Sequence, residues 1–510
     1  MEAGELMAYV PPNSTVQYFS DLGLSRDDTL YFDSVSSKNT YFANLTKIAN
    51  EESLTYVSRE KGIIRSSLPM SNAINIGYMR YKNTSFENFW FYAYVTDVEY
   101  TNNGLTEIHF EIDNMMTYMG VFALGECFVE RQHTINDGIG DNIAEEGLDT
   151  GDFIVNSTTK SGFFDGYRIA VVYNPDGTDT GMIHNGIYSA AAIKAFELAA
   201  DANTFIKTMI DSNKVDSIVA VLMLPTNMVT NWNNPIPGVH QVNISKQGNT
   251  IDGYTPRNKK LFCYPYNMLS VSNSEGQSID YRYEFFNRSG ESTTCDFSIY
   301  MLAGASPEAT LVPRHYKNVD FNYDERLNMV KFPQCAIAVD QYKANLAQKN
   351  STFFQDALGQ GVNIAVGALT GGIGGAISAG QGILSLATDT LISNAVRTPA
   401  PSISKGRSAP DIMFGLLSKE FYFYKRSITR NYAEMIDNYF DMFGYAVRQH
   451  LTPNMNARPN WTYCKTIGCT VHGNMPSSAA RDIESMFDAG VRFWKNHRNI
   501  GNYSLNNAPS

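Results

Sequence analysis

The chain has 510 residues, of which 43% are hydrophobic and 18% charged, and a formal net charge of −11. That balance excludes a disordered protein, and the length calls for three or four domains rather than one. With an acidic excess and no polybasic block, tight binding of nucleic acid through phosphate neutralisation is also excluded, although an acidic wall lets DNA pass without gripping it.

Aromatic residues make up 12%, with 30 Tyr and 29 Phe, which leans towards β structure. The opening stretch, MEAGELMAYVPPNSTVQYF, lacks a basic region and an apolar run, so no secretion signal is expected. The first 135 residues read as strands and turns. The run from Phe89 to Tyr100 is aromatic and β-branched, Asn102-Asn103-Gly104 is a turn signal, and alternation resumes from Leu105 to Phe110. Together they predict a long β-hairpin.

Residues 136–152 turn polar and acidic, with Asp137, Asp141, Glu145, Glu146, Asp149 and Asp152. Paired carboxylates can bind calcium or cleave sugars, but the commoner reading is a solvated loop. His133, beside Arg131, is read as structural. Tyr167–Tyr173 and Ser217–Leu224 look like buried strands, and Ser189–Ile210 has helical spacing, which suggests a small α/β domain. Strand-like sequence resumes at Lys260 and continues through Tyr281–Phe286 and Cys295–Leu302; near Ala336 the period becomes helical. Pro399, Pro401, Gly406 and Pro410 mark a linker. A last helix is predicted from Ser477 to about His497, with Ile483, Met486, Phe487, Gly490 and Trp494 on one face. Trp461 and Trp494 read as core or interface anchors.

Residues 357–388 contain no Asp, Glu, Lys, Arg or His, although at the chain's average about six charged residues are expected in a run of that length. Gly371, Gly372, Gly374 and Gly375 lie near its midpoint and favour a turn, so the run reads as a helical hairpin. Phe354, Leu358, Val362, Ala365 and Leu369 share a face of the first arm; Ile373, Ile377, Gly380, Leu384, Ala387 and Leu391 share one of the second. Each arm spans roughly 24 Å, short of the ~30 Å hydrocarbon layer. Gly367, Gly371 and Gly375 keep the four-residue spacing that lets helices pack closely. Three readings stay open: a buried hairpin in a soluble core, a segment that enters a membrane conditionally, and a flexible linker. Nine glycines in the run disfavour a merely stable core, since each costs about 1 kcal/mol against Ala inside a helix.

There is no phosphate-binding GxxxxGK[ST], no HExxH and no GxSxG, and no catalytic, cofactor-binding or metal-binding residue is assigned. The six cysteines, Cys127, Cys263, Cys295, Cys335, Cys464 and Cys469, are scattered, which fits neither a disulfide scaffold nor a zinc site and suits a reducing site of synthesis.

Several stretches, in order along nearly the whole chain, resemble the tail knob proteins of small short-tailed phages of the phi29 type. They are Phe128–His133 with Glu146-Gly147-Leu148, Asn258–Asn267, Tyr439–Tyr445, Arg458–Trp461 with Lys465-Thr466-Ile467, the last helix, and Ile500–Tyr503. The resemblance implies a mainly β fold with α+β insertions, in which tail-hub-like β-barrel domains form a ring and a hydrophobic helical hairpin loop is added. The domains expected are an N-terminal barrel at 1–155, an α/β insertion at 156–255, a second β domain at 256–345, the hairpin loop and linker at 346–410, and a C-terminal segment at 411–510 that completes the tube.

The implied assembly is a homohexamer at the tail tip of the virion, synthesised in the host cytoplasm and joined to proximal tail or connector proteins. Phage DNA would pass through its lumen without tight binding. Six loops would plug that lumen and enter the host cell membrane on infection. The plug residues are then Phe353, Phe354, Leu358, Val362, Ile364, Val366, Leu369, Gly371, Gly372, Ile373, Gly374, Gly375, Ile377, Ile383, Leu384 and Leu386. Competing readings are a purely structural tail ring, a wall-degrading tail component and a pore-forming toxin of cellular origin.

Overall fold

The computed structural model describes residues 14–330 and 420–509, less residues 55, 59–61, 84–86, 88, 103, 163–166, 175–182, 185–186, 189–190, 197–198, 213, 215–216, 226–239, 247, 274, 287–292 and 303–307. The chain divides into unit 1, made of Met1–Gly151, Gly253–Leu261 and Arg430–Ser510, and unit 2, made of Asp152–Asp252 and Phe262–Thr429.

Unit 1 begins with β1 Ser14–Phe19, β2 Asp28–Leu30, α1 Val35–Asn44, β3 Ala49–Leu54, β4 Tyr56–Ser58, β5 Ile63–Ser66, α2 Met70–Ala73, β6 Tyr78–Lys82, β7 Phe91–Asn102, β8 Leu105–Ile112, α3 Asn114–Tyr118, β9 Ala123–Leu124 and β10 Cys127–Gln132. An antiparallel sheet runs β3-β1-β6-β7-β8-β5-β4. Strand alternation sends Thr106, Ile108 and Phe110 of β8 into the core and leaves Glu107 and His109 on the opposite face. The sheet curls like a half-closed barrel. Glu51 on β3 reaches β5, accepting from the Ser66 hydroxyl at 2.7 Å and the Ser67 N–H at 3.0 Å. The predicted hairpin is β7–β8: Asn102 pairs with Leu105, and Gly104 takes φ +97°, a conformation glycine adopts freely. Helix α1 opens with Ser34 and Ser37 capping each other's N–H groups, at 3.2 and 3.3 Å.

A second sheet of unit 1 orders β2, Val491–Trp494, Trp461–Ile467, β10 and Tyr445–Leu451. The helix Ser477–Ala489 buries Ala479, Ile483, Met486 and Phe487 with this sheet. The helix expected to reach His497 therefore stops early. Gly490, at φ +102°, returns its N–H to the Met486 carbonyl at 3.0 Å and turns the chain into a strand. Trp494 lies in that strand, not on the helix. It packs on Trp461 with ring centroids 5.0 Å apart, both side chains fully buried.

Unit 2 has a sheet ordered Phe153–Lys160, Tyr422–Ile428, Asn267–Ser272 and Ser278–Tyr281. Its apolar residues share one core with a second sheet built on Thr294–Leu302 and Glu308–Tyr316, where Phe297 meets Phe423 at 5.1 Å. A smaller antiparallel sheet orders Ala192–Phe196, Tyr167–Tyr173 and Ile218–Pro225 beside the helix Ala199–Asp211.

Three expectations are corrected here. The single helix predicted over Ser189–Ile210 is a strand, Ala192–Phe196, followed by a helix. Pairing with Tyr167–Tyr173 buries Ala192, Ile193 and Phe196, so sheet formation overrides the local helical spacing. The strand expected from Lys260 begins only at Asn267; Lys259–Phe262 is a 3₁₀ turn, and Pro265 has no N–H for a ladder. The strand expected over Tyr281–Phe286 ends at Tyr281, and Tyr283–Phe285 is again 3₁₀.

Candidate functional site

The plug residues expected between Phe353 and Leu386 lie outside the described residues, as does the helix expected from Ala336. Among the described residues no helix is long and apolar enough to cross a membrane. What the structure defines is the pair of chain ends between which residues 331–419 are inserted, both in unit 2.

On the outgoing side, Leu327–Met329 pairs with Ala309–Leu311, and Leu327 and Met329 are buried in the unit 2 core. On the returning side, Phe421 and Phe423 enter that same core, and Tyr422 pairs with Ser272. One turn ties the two sides together. Asn273, next to Ser272, donates from Nδ2 to the Asn328 carbonyl at 2.7 Å, and Glu275 accepts from the Val330 N–H at 3.1 Å. Asn273 Oδ1 in turn accepts from the N–H groups of Glu275 and Gln277, at 2.9 and 3.1 Å, which holds the turn in shape. Glu420 is buried against Ser161 and accepts from the Phe421 N–H at 3.0 Å. The described residues on either side of 331–419 thus lie at neighbouring strand ends, each fastened by apolar side chains in one core.

Unit 1 contains a second constellation that the sequence did not disclose as such. Glu146, with its side chain 1% exposed, pairs with Lys260 and Arg131 and accepts from the Ala446 N–H at 3.0 Å. Lys260 also donates to the Ala144 carbonyl at 2.6 Å. Arg131 stacks over Tyr439 at 4.7 Å. Nearby, Asp437 accepts from the N–H groups of Arg257 and Asn258 and from the Tyr254 hydroxyl, at 2.9, 3.0 and 2.6 Å. Arg257 pairs with Asp441 at 2.6 Å. Burial pushes the Asp441 carboxyl up, while Asn258 and Arg257 oppose that shift. Asp137 is likewise pushed up by burial and accepts from the Tyr445 hydroxyl at 2.5 Å.

The solvated-loop reading of residues 136–152 is therefore corrected at Asp137 and Glu146, which point inward to partners more than a hundred residues away. His133 is structural. It accepts from the Tyr463 N–H at 2.9 Å, its other nitrogen lies 3.1 Å from the Phe440 carbonyl, and burial lowers it to about 3. These charges pair with one another and with backbone groups, and so fasten segments distant along the chain. A signal existed in the sequence: Arg131, Glu146, Asn258, Lys260, Asp441, Tyr445 and Arg458 all fall in the stretches quoted for the resemblance.

A family model described as the C-terminal domain of the tail knob protein gp9 of Bacillus phage phi29 matches residues 229–508. A model of the N-terminus of the caudoviral major tail protein matches residues 12–122. Tail knob protein gp9 of Bacillus phage B103 is 24% identical, with 98% of this chain and 100% of that protein covered. The phi29 protein is 23% identical with the same coverage. The solved structure of the bacteriophage C1 tail knob protein gp12 has a similar fold, at a TM-score of 0.57 and 16% identity over 97% of this chain and 99% of that one.

Proposed function

The chain belongs to the family of phi29-type tail knob proteins, and on that premise we propose that it is a structural, non-enzymatic subunit of the virion's tail tip. Six copies form a ring joined to proximal tail or connector proteins, and DNA passes through its lumen. The segment around residues 346–410 folds into an apolar hairpin that plugs the lumen. On infection the six hairpins leave and insert into the host membrane.

The observation that carries this reading is the neck. The charge-free run 357–388 lies within an insertion whose two ends are anchored side by side, at Asn328–Val330 and Phe421–Phe423. A segment held this way can be stored against its own copies and released as a unit. Once freed, transfer of its apolar surface to hydrocarbon is favoured by ~25 cal/mol per Å². The excess of acidic over basic residues lets DNA pass without the grip that counterion release gives a basic channel.

Virions carrying Ile377→Asp and Leu384→Asp test the reading. Two carboxylates in this run oppose insertion by about 5 kcal/mol or more. Such particles are expected to assemble and adsorb normally and to lose genome delivery at least 100-fold. Delivery at the unsubstituted level would leave a structural ring whose hairpin stays in place.

A further inference from the structure

The hairpin β7–β8 carries a cluster that the proposed conduit does not use. Register sets Glu99 directly opposite Glu107, a like-charge pair that destabilises a hairpin unless something lies between the carboxylates. Arg65, opposite Glu107 on β5, binds Glu107 Oε1 at 3.0 Å, so it answers one member of the pair. Two pairs further along, on the same face, His109 faces Asp97, adding to the acidity of this strip. The His109 side chain is 20% exposed, and its Nε2 lies 3.6 Å from Glu99 Oε1, beyond hydrogen-bond reach. Among the described residues that nitrogen is closed to solvent and has no hydrogen-bond partner. A ligand atom from each of Glu99, Glu107 and His109 lies within 4.8 Å of the other two.

We propose that Glu99, Glu107 and His109 form a site for a divalent transition-metal ion of the zinc class. Metal–ligand distances of about 2.0–2.2 Å place such donors roughly 3.5 Å apart, which small side-chain rotations supply. A cation there neutralises the opposed carboxylates and gives the sealed Nε2 the partner it lacks. An imidazole nitrogen with two carboxylates selects a borderline ion over calcium or magnesium, which prefer oxygen alone. Glu99 is 60% exposed on its side chain, so the ion enters from solvent and keeps water in its remaining positions. The site ties the two strands together beside their turn.

Calorimetric titration of the full-length protein with zinc chloride tests this, with circular dichroism as a check on folding. One equivalent of zinc per chain is expected, undisturbed by a tenfold excess of calcium. His109→Ala and Glu99→Gln, both on the solvent face, are each expected to weaken binding at least tenfold. Arg65→Ala frees Glu107 and is expected to tighten binding about threefold or more, a gain that misfolding does not produce. Absence of zinc uptake by the unsubstituted protein, binding by either ligand variant as tight as its own, or weaker binding by Arg65→Ala overturns the proposal.

Discussion

Lys260 and Glu146, far apart in sequence, form an ion pair whose side chains are 2% and 1% exposed. Because each is out of water, either charge left alone keeps its full desolvation cost. Lys260→Met is expected to destabilise unit 1 by about 3 kcal/mol, and Glu146→Gln by at least as much, since Arg131 also loses its partner. Scanning calorimetry of both single variants and the double variant checks this. The double variant is expected to be more stable than the two single effects added, by about 1 kcal/mol or more.

The pH dependence of unit 1 is expected to carry the mark of His133. Burial, and next Arg458, lower this imidazole to about 3, against about 6.5 when unfolded. Between those values the unfolded chain binds the proton and the folded chain does not. Stability therefore rises with pH through that window, and acidification from 6.5 towards 3 removes up to ~1.4 kcal/mol per pH unit from this group. His133→Asn, which lacks the titration, is expected to flatten that limb when thermal midpoints are followed from pH 7 to pH 4.

Gly444 and Gly468 both have positive φ, +63° and +69°, but in different surroundings. A Cβ on Gly444 would lie 2.3 Å from the Gln132 carbonyl and 2.4 Å from the His133 nitrogen, whereas one on Gly468 meets nothing within 4 Å. Gly444→Ala is expected to cost about 3 kcal/mol or more and to lower soluble yield, because backbone must move. Gly468→Ala is expected to cost only the conformational penalty, about 1 kcal/mol. Thermal midpoints of the two variants separate the cases.

Lys38 is buried under α3, where its ammonium donates to the carbonyls of Met116, Thr117 and Met119 at 2.8, 2.8 and 2.9 Å. Lys38→Met keeps the apolar stem and leaves three buried acceptors without their donor. A loss of about 3 kcal/mol is expected, together with faster amide exchange in α1 and α3, which mass spectrometry of exchanged peptides resolves.

Local chemistry made part of this fold legible. The β7–β8 hairpin was marked by its alternation and by Gly104, and Trp461 and Trp494 by their bulk. The misses have a common cause in partners distant along the chain. Ser189–Ile210 had helical spacing, but Ala192–Phe196 finds a strand to pair with. Glu146 sat in a polar run, and nothing local says that Lys260 and Arg131 fold onto it. Helical spacing places Gly490 on the helix face, whereas its positive φ ends the helix. For the insertion, the charge-free run was visible in the sequence, whereas the neck was not. It depends on Asn273 bridging to Asn328, a contact between side chain and backbone that no periodicity announces.

The most direct test of the proposed conduit is electron cryo-microscopy of tails before and after DNA release, with residues 357–388 located relative to the ring axis. Six copies are expected inside the central passage before release and outside it afterwards, facing lipid when vesicles are present. Density for these residues on the outer surface of the ring in both states would contradict the proposal.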